Sequence, residues 1–366
     1  MKNDIYWSVS GYNTTNQIEA WIKSTQLQTC PEFHFYDDAY DSVDWTQEPS
    51  ESWDELCYQR CLQLRQQYKH LALVYSAGRD SHHILRCFSK FNIPIDELIT
   101  FKYNPIPNSY YWTRVLEMDN IIMPLMKKYV EQFPKTKITV QDILTPEMFN
   151  DYYSDDHTEK KSVTATNGLF TVPLILGLRN IYDSDNEGFI FGLDKPRIIL
   201  ENNKFYSTIL DKVIEYYIKG QSSNVEFFYF TPNLPKLHVK QSWTLLNYII
   251  TNYSTITHEF LEKFCAGGNS VYYDEFCLGS GRGSAISSNL ELSMGKSKIS
   301  GAGKDPKIQR IIEYAIQNKW QGVHNYLYSA EYLTDKYPQI FNGGDARLGT
   351  VGLYAKKRYM KPLDSR

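Results

Sequence analysis

The sequence predicts an α/β protein with a doubly wound, mostly parallel sheet and a helical C-terminal region. Apolar strand-like runs alternate with helix-spaced segments between about residues 53 and 200, whereas helical segments dominate after about residue 235. Hydrophobic residues make up 42% of 366 positions, enough for a large core. We therefore expect an acidic N-terminal flank at 1–52, an α/β domain at 53–235 and a helical substrate-binding or lid region at 236–366.

The first segment is acidic. Residues 1–55 contain eleven Asp and Glu residues but only two lysines. Pro31, Pro49 and several Ser and Asp residues interrupt any long periodicity, which favours irregular structure. We interpret this segment as an irregular, solvated flank.

A helix is predicted at residues 53–68, where apolar and long side chains recur at three- and four-residue spacing. Ser52 and Glu55 fit a capping box at its start. The spacing puts Cys57 and Cys61 on one face, and we expect no His or Cys cluster beside them. We interpret the pair as core packing. With six cysteines and no CxxC spacing, neither a disulfide framework nor a structural zinc site is expected.

The α/β domain is predicted from alternating elements. The expected strands cover residues 71–75, 98–103, 137–140 and 188–192. A helix follows the first strand, and further helical stretches are expected at about 111–131, 168–181, 241–253 and 308–319. Strands joined by helices form parallel neighbours, which predicts the open, doubly wound sheet.

The junction after the first strand is a candidate anion site. At the carboxyl end of a parallel strand, the following helix points its free N–H groups at a bound anion. Ala77 and Gly78 leave room for the backbone to wrap a phosphate, the Ser76 and Ser81 hydroxyls add donors, and Asp80 is expected to cap the helix. Neither GxxxxGK[ST] nor GxGxxG occurs at this junction, which disfavours an ordinary P-loop ATPase or a nicotinamide enzyme.

Residues 76–81, SAGRDS, resemble the SGGxDS pyrophosphate loop of the N-type ATP pyrophosphatases, or PP-loop superfamily. Within it the chain is most similar to the synthetase domain of asparagine synthetase, because a helix at 53–68 precedes the first strand in the same arrangement. The glutaminase domain has no counterpart, because Lys2 stands where its nucleophilic Cys would be. Ala77 departs from the first Gly of the pattern. The resemblance covers about residues 53–200 and implies an adenine nucleotide alpha hydrolase-like fold for the 53–235 domain, with ATP and Mg²⁺ as cofactors.

The resemblance also implies roles for individual residues. Asp80 is the expected catalytic residue and Mg²⁺ ligand of the loop, Asp194 a second Mg²⁺ ligand, and Lys195 a catalytic cation. Phe101, in the second strand, is expected to contact adenine, and Arg197 is expected to contact phosphate. The implied pyrophosphate loop consists of Ser76, Ala77, Gly78, Arg79, Asp80 and Ser81.

The function implied is a ligase that cleaves ATP to AMP and pyrophosphate, adenylates a carboxylate or amide oxygen, and lets ammonia or an amine attack. A sulfur-chemistry enzyme of the same superfamily is one alternative, although the sequence has no CxxC pair and no Glu-Cys-Gly motif near its end. A non-catalytic nucleotide-binding module is another, although Asp80 and Ser81 are retained.

Partners are predicted from composition. The net charge of −3 gives no overall attraction to polyanions, while basic residues near the C-terminus, in KKRYMK at 356–361, leave nucleic acid possible. A Gly/Ser-rich, locally basic stretch at 279–303 fits either a lid over ATP or a surface loop. Without a long apolar run or a signal-like start, we expect a cytoplasmic protein with a small-molecule or nucleotide substrate and no membrane partner. The substrate's identity and the oligomeric state stay open.

Overall fold

The computed structural model describes residues 5–102, 118–142, 186–192, 196–209, 224–264, 317, 319 and 356–363. Within these residues the fold is a mixture of helices and strands arranged in three sheets. Among the helices described, none combines the length and the apolar character needed to cross a bilayer.

The described part of the chain contains eleven strands and seven α-helices. The strands are β1 Ile5–Val9, β2 Tyr12–Thr14, β3 Glu32–Phe35, β4 His70–Val74, β5 Glu97–Lys102, β6 Lys137–Asp142, β7 Glu187–Phe191, β8 Arg197–Glu201, β9 Lys204–Thr208, β10 Val225–Phe227 and β11 Arg358–Pro362. The helices are α1 Gln17–Leu27, α2 Asp37–Asp41, α3 Trp53–Gln67, α4 Arg79–Lys90, α5 Met123–Gln132, α6 Pro235–Asn252 and α7 His258–Lys263. A π-helical turn, Met118–Ile122, precedes α5.

The main sheet has five parallel strands in the order β10-β7-β4-β5-β6. The four strands predicted from the sequence are confirmed, with ends shifted by one or two residues. Strand β4 is almost wholly buried, in keeping with its near-continuous apolar run, HLALV. Because all five strands run the same way, their carboxyl ends lie along one edge of the sheet, with β4 at its centre.

Helix α3 confirms the predicted capping box. The Ser52 hydroxyl accepts a hydrogen bond from the Glu55 amide at 3.2 Å, and the Glu55 carboxylate accepts one from the Ser52 amide at 2.7 Å. The buried side of α3 includes Arg60, whose guanidinium lies 2.7 Å from the Glu226 carboxylate. Arg60 also donates to the carbonyls of Phe227 and Phe228 at 3.1 and 3.3 Å. This buried cation therefore joins α3 to the end of β10.

The N-terminal segment is structured, so the prediction of an irregular flank is wrong. Strands β2, β1 and β3 form an antiparallel sheet beside α1. Trp7 and Val9 alternate with more exposed neighbours and pack into the core with Phe33 and Phe35. Strands of three to five residues are too short to show in a search for long periodicity, and the alternation in IYWSV was the available signal.

The acidic residues that follow the N-terminal sheet do not all face solvent, because several form ion pairs with helix α6. Lys236 lies 2.6 Å from Glu51, and Lys240 lies 2.7 Å from Glu48. The Trp243 indole donates to the Trp45 carbonyl at 3.1 Å. The helix begins earlier than predicted because Pro235 stands in its first turn, where the missing N–H costs nothing.

The third sheet brings the C-terminal segment back to the protein. Strand β11 pairs antiparallel with β9, which pairs with β8. The basic C-terminal cluster is largely neutralised there, with Lys356 against Asp41 and Lys357 against Glu201. Arg358 lies 3.2 Å from Asp37. These ion pairs remove most of the local positive charge that suggested nucleic acid.

Several predictions fall on residues outside the description. They are the helices at 168–181 and, apart from residues 317 and 319, at 308–319, the Gly/Ser-rich stretch at 279–303, and the part of the predicted helix at 111–117.

Candidate functional site

The predicted phosphate loop lies at the centre of the carboxyl edge of the parallel sheet. Just past the end of β4, the Tyr75 amide donates a hydrogen bond to the Ile99 carbonyl of β5 at 2.7 Å. The chain then leaves the sheet through Ser76, Ala77 and Gly78 and enters α4 at Arg79. Ser76 and Gly78 are exposed, so the first turn of α4 opens toward solvent at this edge.

The two serines of the loop have different environments. Ser81 is 4% exposed, and its hydroxyl accepts from the Ser76 amide at 3.3 Å and donates to the Gly78 carbonyl at 3.2 Å. The Ser76 hydroxyl lies 3.2 Å from that of Ser81 and accepts from the Gly78 amide at 3.3 Å. Ser81 therefore holds the turn together, whereas Ser76 is the hydroxyl on the open side.

The expectation that Asp80 caps the helix is wrong. The N-cap is Gly78, with extended backbone angles and no side-chain capping bond, and Asp80 is the second helical residue. Its carboxylate thus sits in the first turn of α4, at the positive end of the helix dipole. The helix starts two residues earlier than a cap at Asp80 requires, because Gly78 supplies the extended residue before it.

Ala77 adopts a left-handed conformation with φ of 54°. An L-residue with a β-carbon pays about 1 to 2 kcal/mol for this region, which glycine enters freely. The departure of Ala77 from the Gly of the SGGxDS pattern therefore leaves the turn shape intact but strained.

Strand β7 ends against the same turn. A β-carbon on Gly192 would lie 2.8 Å from both the Asp80 carbonyl carbon and the Ser81 amide nitrogen, closer than real β-carbons approach backbone. Only glycine lets the end of β7 meet the start of α4 at this distance. Gly192, which directly follows β7, therefore lies beside the turn that follows β4 at the sheet edge.

Phe101 lies near the end of β5, and its ring packs against the core. The Ile99 carbonyl accepts a hydrogen bond from the Tyr75 amide, so the backbone groups of Ile99 face β4. Residues two apart in a strand direct their backbone groups to the same side. The N–H and C=O of Phe101 thus face the side that β4 vacates when it turns into the loop.

Three of the predicted site residues, Asp194, Lys195 and Arg197, follow β7 in the chain. Arg197 is the first residue of β8, in the antiparallel sheet, where it pairs with Thr208. Asp194 and Lys195 lie outside the described residues, as does the side chain of Arg79. The structure thus brings residues 76–81 and Gly192 together, and the roles of Asp194, Lys195 and Arg197 stay predictions.

Sequence reasoning missed Tyr229, which supports the loop from behind. Its hydroxyl donates to the Asp80 carbonyl at 3.3 Å and lies 2.8 Å from Nδ1 of His83. Burial raises the pKa of Tyr229, so the hydroxyl stays protonated. Tyr229 is 149 residues from Asp80 in sequence, and no local pattern connects the two.

The histidines after the loop are both held by tyrosines. His82 Nδ1 lies 3.0 Å from the Tyr75 hydroxyl, and burial lowers the pKa of His82 to about 4. His83 lies between Tyr229 and Trp53, whose indole N–H donates to Nε2 at 3.3 Å. At neutral pH His82 is therefore uncharged and adds no positive charge to the loop.

A cysteine cluster lies behind the first turns of α4. Cys57 and Cys61 are buried as predicted, but the assumption that no Cys or His stands beside them is wrong, because Cys87 and His83 lie next to Cys57. A hydrogen bond from the Cys57 thiol lowers the pKa of Cys87 against the opposing effect of burial, and the neighbouring His83 lowers it further. Burial raises the pKa of Cys57. The cluster spans two helices, so sequence spacing could not show it.

A second polar cluster lies at the N-terminal sheet, where two of its members, His34 and Asp37, line a cleft of about 820 Å³. The Ser8 hydroxyl lies 2.9 Å from Nε2 of His34, and Nδ1 lies 2.8 Å from the Asp37 carboxylate. The order of the three groups is that of a serine hydrolase relay. Strand β1 pairs on both sides at Ser8, so the sheet uses the backbone N–H groups that an oxyanion hole needs. We interpret this relay as structural.

Comparison with known proteins adds no relative. No protein-family model matches the sequence, and no curated protein matches it.

Proposed function

We propose that this protein is an ATP-dependent ligase that forms AMP and pyrophosphate. A carboxylate or amide oxygen of a small molecule or nucleotide attacks the α-phosphorus, pyrophosphate leaves, and ammonia or an amine then displaces AMP to form a C–N bond. The observation that carries the proposal is the meeting of the 76–81 turn and Gly192 at the central carboxyl edge of a parallel sheet. The proposal includes a doubly wound arrangement and a cytoplasmic location.

Pyrophosphate binding follows from the chemistry of the turn. The first N–H groups of α4 have no helical partner, and the helix dipole adds positive potential at the same point. Small or absent side chains at Ala77, Gly78 and Gly192 let a phosphate approach the backbone. The exposed Ser76 hydroxyl is the side-chain donor best placed to contact it.

Adenine binding is assigned to the neighbouring strand. The Phe101 backbone, directed toward the side of β4, offers one donor and one acceptor next to the loop. That pair matches the ring nitrogen and amino group on one edge of adenine. The nucleotide would then lie along the sheet edge from β5, across β4, to the turn.

Mg²⁺ fits the donor set of the loop. A carboxylate is a hard ligand of the kind Mg²⁺ prefers, and Asp80 holds one in the first helical turn. Asp194 is the second proposed ligand, and Lys195 and Arg197 are proposed to balance phosphate charge. When bound, Mg²⁺ neutralises charge on the phosphates; the chain's own part is to hold the nucleotide and keep the leaving pyrophosphate against the helix N-terminus.

The test is product analysis with ATP labelled at the α-phosphate. The full chain is incubated with Mg²⁺ and a pool of amino acids and nucleotides, next to Asp80→Ala, Ser76→Ala and, as a control, Asp119→Ala, which removes an exposed carboxylate elsewhere. We expect AMP and pyrophosphate from the native chain and from the control. Asp80→Ala and Ser76→Ala should each reduce the rate by about 100-fold or more, since both remove charge stabilisation.

Other products would contradict the proposal. ADP and phosphate would mean that the β–γ bond is cleaved and the PP-loop interpretation is wrong. Tight ATP binding that depends on Asp80, without turnover across the whole pool, would favour the nucleotide-binding module. Fractionating an active pool would identify the substrate.

A further inference from the structure

Three side chains with metal-binding chemistry converge between helices α3 and α4. Cys57 comes from α3, and His83 and Cys87 come from α4, four residues apart and therefore on one helical face. One donor atom from each lies within 4.8 Å of the other two. Cys57 is fully buried, Cys87 is 5% exposed and His83 is half-buried, so the cluster lies below the surface.

The spacing fits a tetrahedral metal. Bonds of about 2.3 Å to sulfur and about 2.0 Å to nitrogen place the two donor atoms roughly 3.5 Å apart at a tetrahedral angle. The Cys87 sulfur lies 3.5 Å from Nε2 of His83 and 3.9 Å from Nδ1. The nearer nitrogen is therefore at the separation that a shared zinc ion would impose.

The hydrogen bonds of His83 leave the correct nitrogen as the donor to a metal. Because the Tyr229 hydroxyl uses its proton for the Asp80 carbonyl, it accepts at its oxygen the proton of His83 Nδ1. Nε2 then carries the lone pair and faces Cys87, with only the weak 3.3 Å bond from Trp53 to displace. A metal-binding histidine whose other N–H donates to a fixed outer partner is the usual arrangement in proteins.

We propose that Cys57, His83 and Cys87 form a binding site for a thiophilic cation of the Zn²⁺ class. Two sulfurs and one imidazole nitrogen select such ions over Mg²⁺ or Ca²⁺, which prefer oxygen. Both sulfurs bind as thiolates: any proton that a sulfur still carries passes to solvent when the cation binds, and the two thiolates balance its charge without any redox change. Three protein ligands leave a fourth tetrahedral position for another donor.

The site would connect metal binding to the loop. It ties α3 to α4 within two turns of Asp80, and Tyr229 links His83 to the Asp80 carbonyl. A bound ion should therefore fix the start of α4. This inference does not depend on the proposed ligase activity, because metal binding is measured without ATP.

The test is titration of the reduced, metal-free full chain with Co²⁺ followed by displacement with Zn²⁺. We expect one ion per chain and a thiolate-to-cobalt charge-transfer band. Cys57→Ser, Cys87→Ser and His83→Gln should each weaken binding by at least about 100-fold, and Tyr229→Phe, which removes the outer partner of His83 together with the bond to the Asp80 carbonyl, by about 10- to 100-fold. Cys61→Ser is the matched control, since Cys61 is equally buried on α3 but outside the cluster, and should bind as the native chain does.

Two results would overturn the proposal. One is Co²⁺ or Zn²⁺ binding by the native chain no tighter than by the Cys57→Ser/Cys87→Ser double variant, which needs no assumption about how single variants fold. The other is a Cys57–Cys87 disulfide found by peptide mapping of protein purified without reductant, with no metal bound after reduction. That result would make the cluster a redox pair instead.

Discussion

Gly192 and Ser81 approach so closely that a β-carbon on Gly192 would lie 2.8 Å from the Ser81 amide nitrogen. We predict that Gly192→Ala pushes the first turn of α4 away from β7 and weakens ATP binding by about 10-fold or more, because misplaced backbone donors no longer converge on the phosphates. Isothermal titration with ATP and Mg²⁺ measures this effect.

Gly188→Ala is the control for that variant. It adds a β-carbon on the same strand, but that carbon meets the Tyr68 ring at 2.4 Å and not the loop. Gly188→Ala should lower the free energy of unfolding while the folded fraction retains ATP affinity. Equal ATP affinity in Gly192→Ala and the native chain would contradict the assignment of this contact to the nucleotide site.

Ala77→Gly should stabilise the protein by about 1 kcal/mol, because the left-handed φ of 54° strains alanine but not glycine. Urea unfolding measures the change. The comparison is Ala72→Gly in buried strand β4, where alanine is unstrained and glycine should destabilise. A loss of stability in Ala77→Gly as large as that in Ala72→Gly would show that strain at residue 77 is not significant.

The buried pair Arg60 and Glu226 should be costly to break. Arg60→Met leaves the Glu226 carboxylate buried without its cation, and we expect a loss of about 3 to 5 kcal/mol in the free energy of unfolding. Lys90→Met breaks an exposed ion pair with Asp54 and should change it by less than about 1 kcal/mol. Similar denaturation midpoints for the two variants would disprove the expected difference between a buried and an exposed ion pair.

Acid should destabilise the protein through His238. Burial lowers the pKa of His238 from 6.5 to about 3, and neither ring nitrogen has a hydrogen-bond partner in the described part of the chain. As the pH falls below 6.5, the unfolded chain takes up a proton that the folded chain excludes, so stability present above pH 6.5 is lost toward pH 3. Between pH 7 and about 4.5 the loss from this one group should be about 2 to 3 kcal/mol.

His238→Phe tests this pH dependence. Edge-on contacts with Tyr40, Trp45 and Phe230 surround the ring and can be kept by phenylalanine. The variant should be as stable as the native chain at pH 7 and lose less stability at pH 4.5, as measured by urea unfolding at both values. An unchanged difference between the two pH values would exclude His238 as its source.

Much of the main sheet could be predicted from local sequence. Continuous apolar runs identified β4, β5 and β7, because strands buried on both faces lack polar alternation. Ser52 and Glu55 marked the start of α3, since capping uses neighbouring residues. The short strands of the N-terminal sheet escaped a search for long periodicity, because their alternation extends over at most five residues.

The sequence by itself determined the loop at 76–81, the strand before it and the helix after it, because these depend on residues adjacent in the chain. The tertiary structure alone decided that Gly192 meets Ser81, that Tyr229 supports Asp80, and that Cys57 joins His83 and Cys87. It also separated buried Ser81 from exposed Ser76. Such contacts arise when distant segments pack together to bury apolar surface, and the order of residues along one segment carries no record of them.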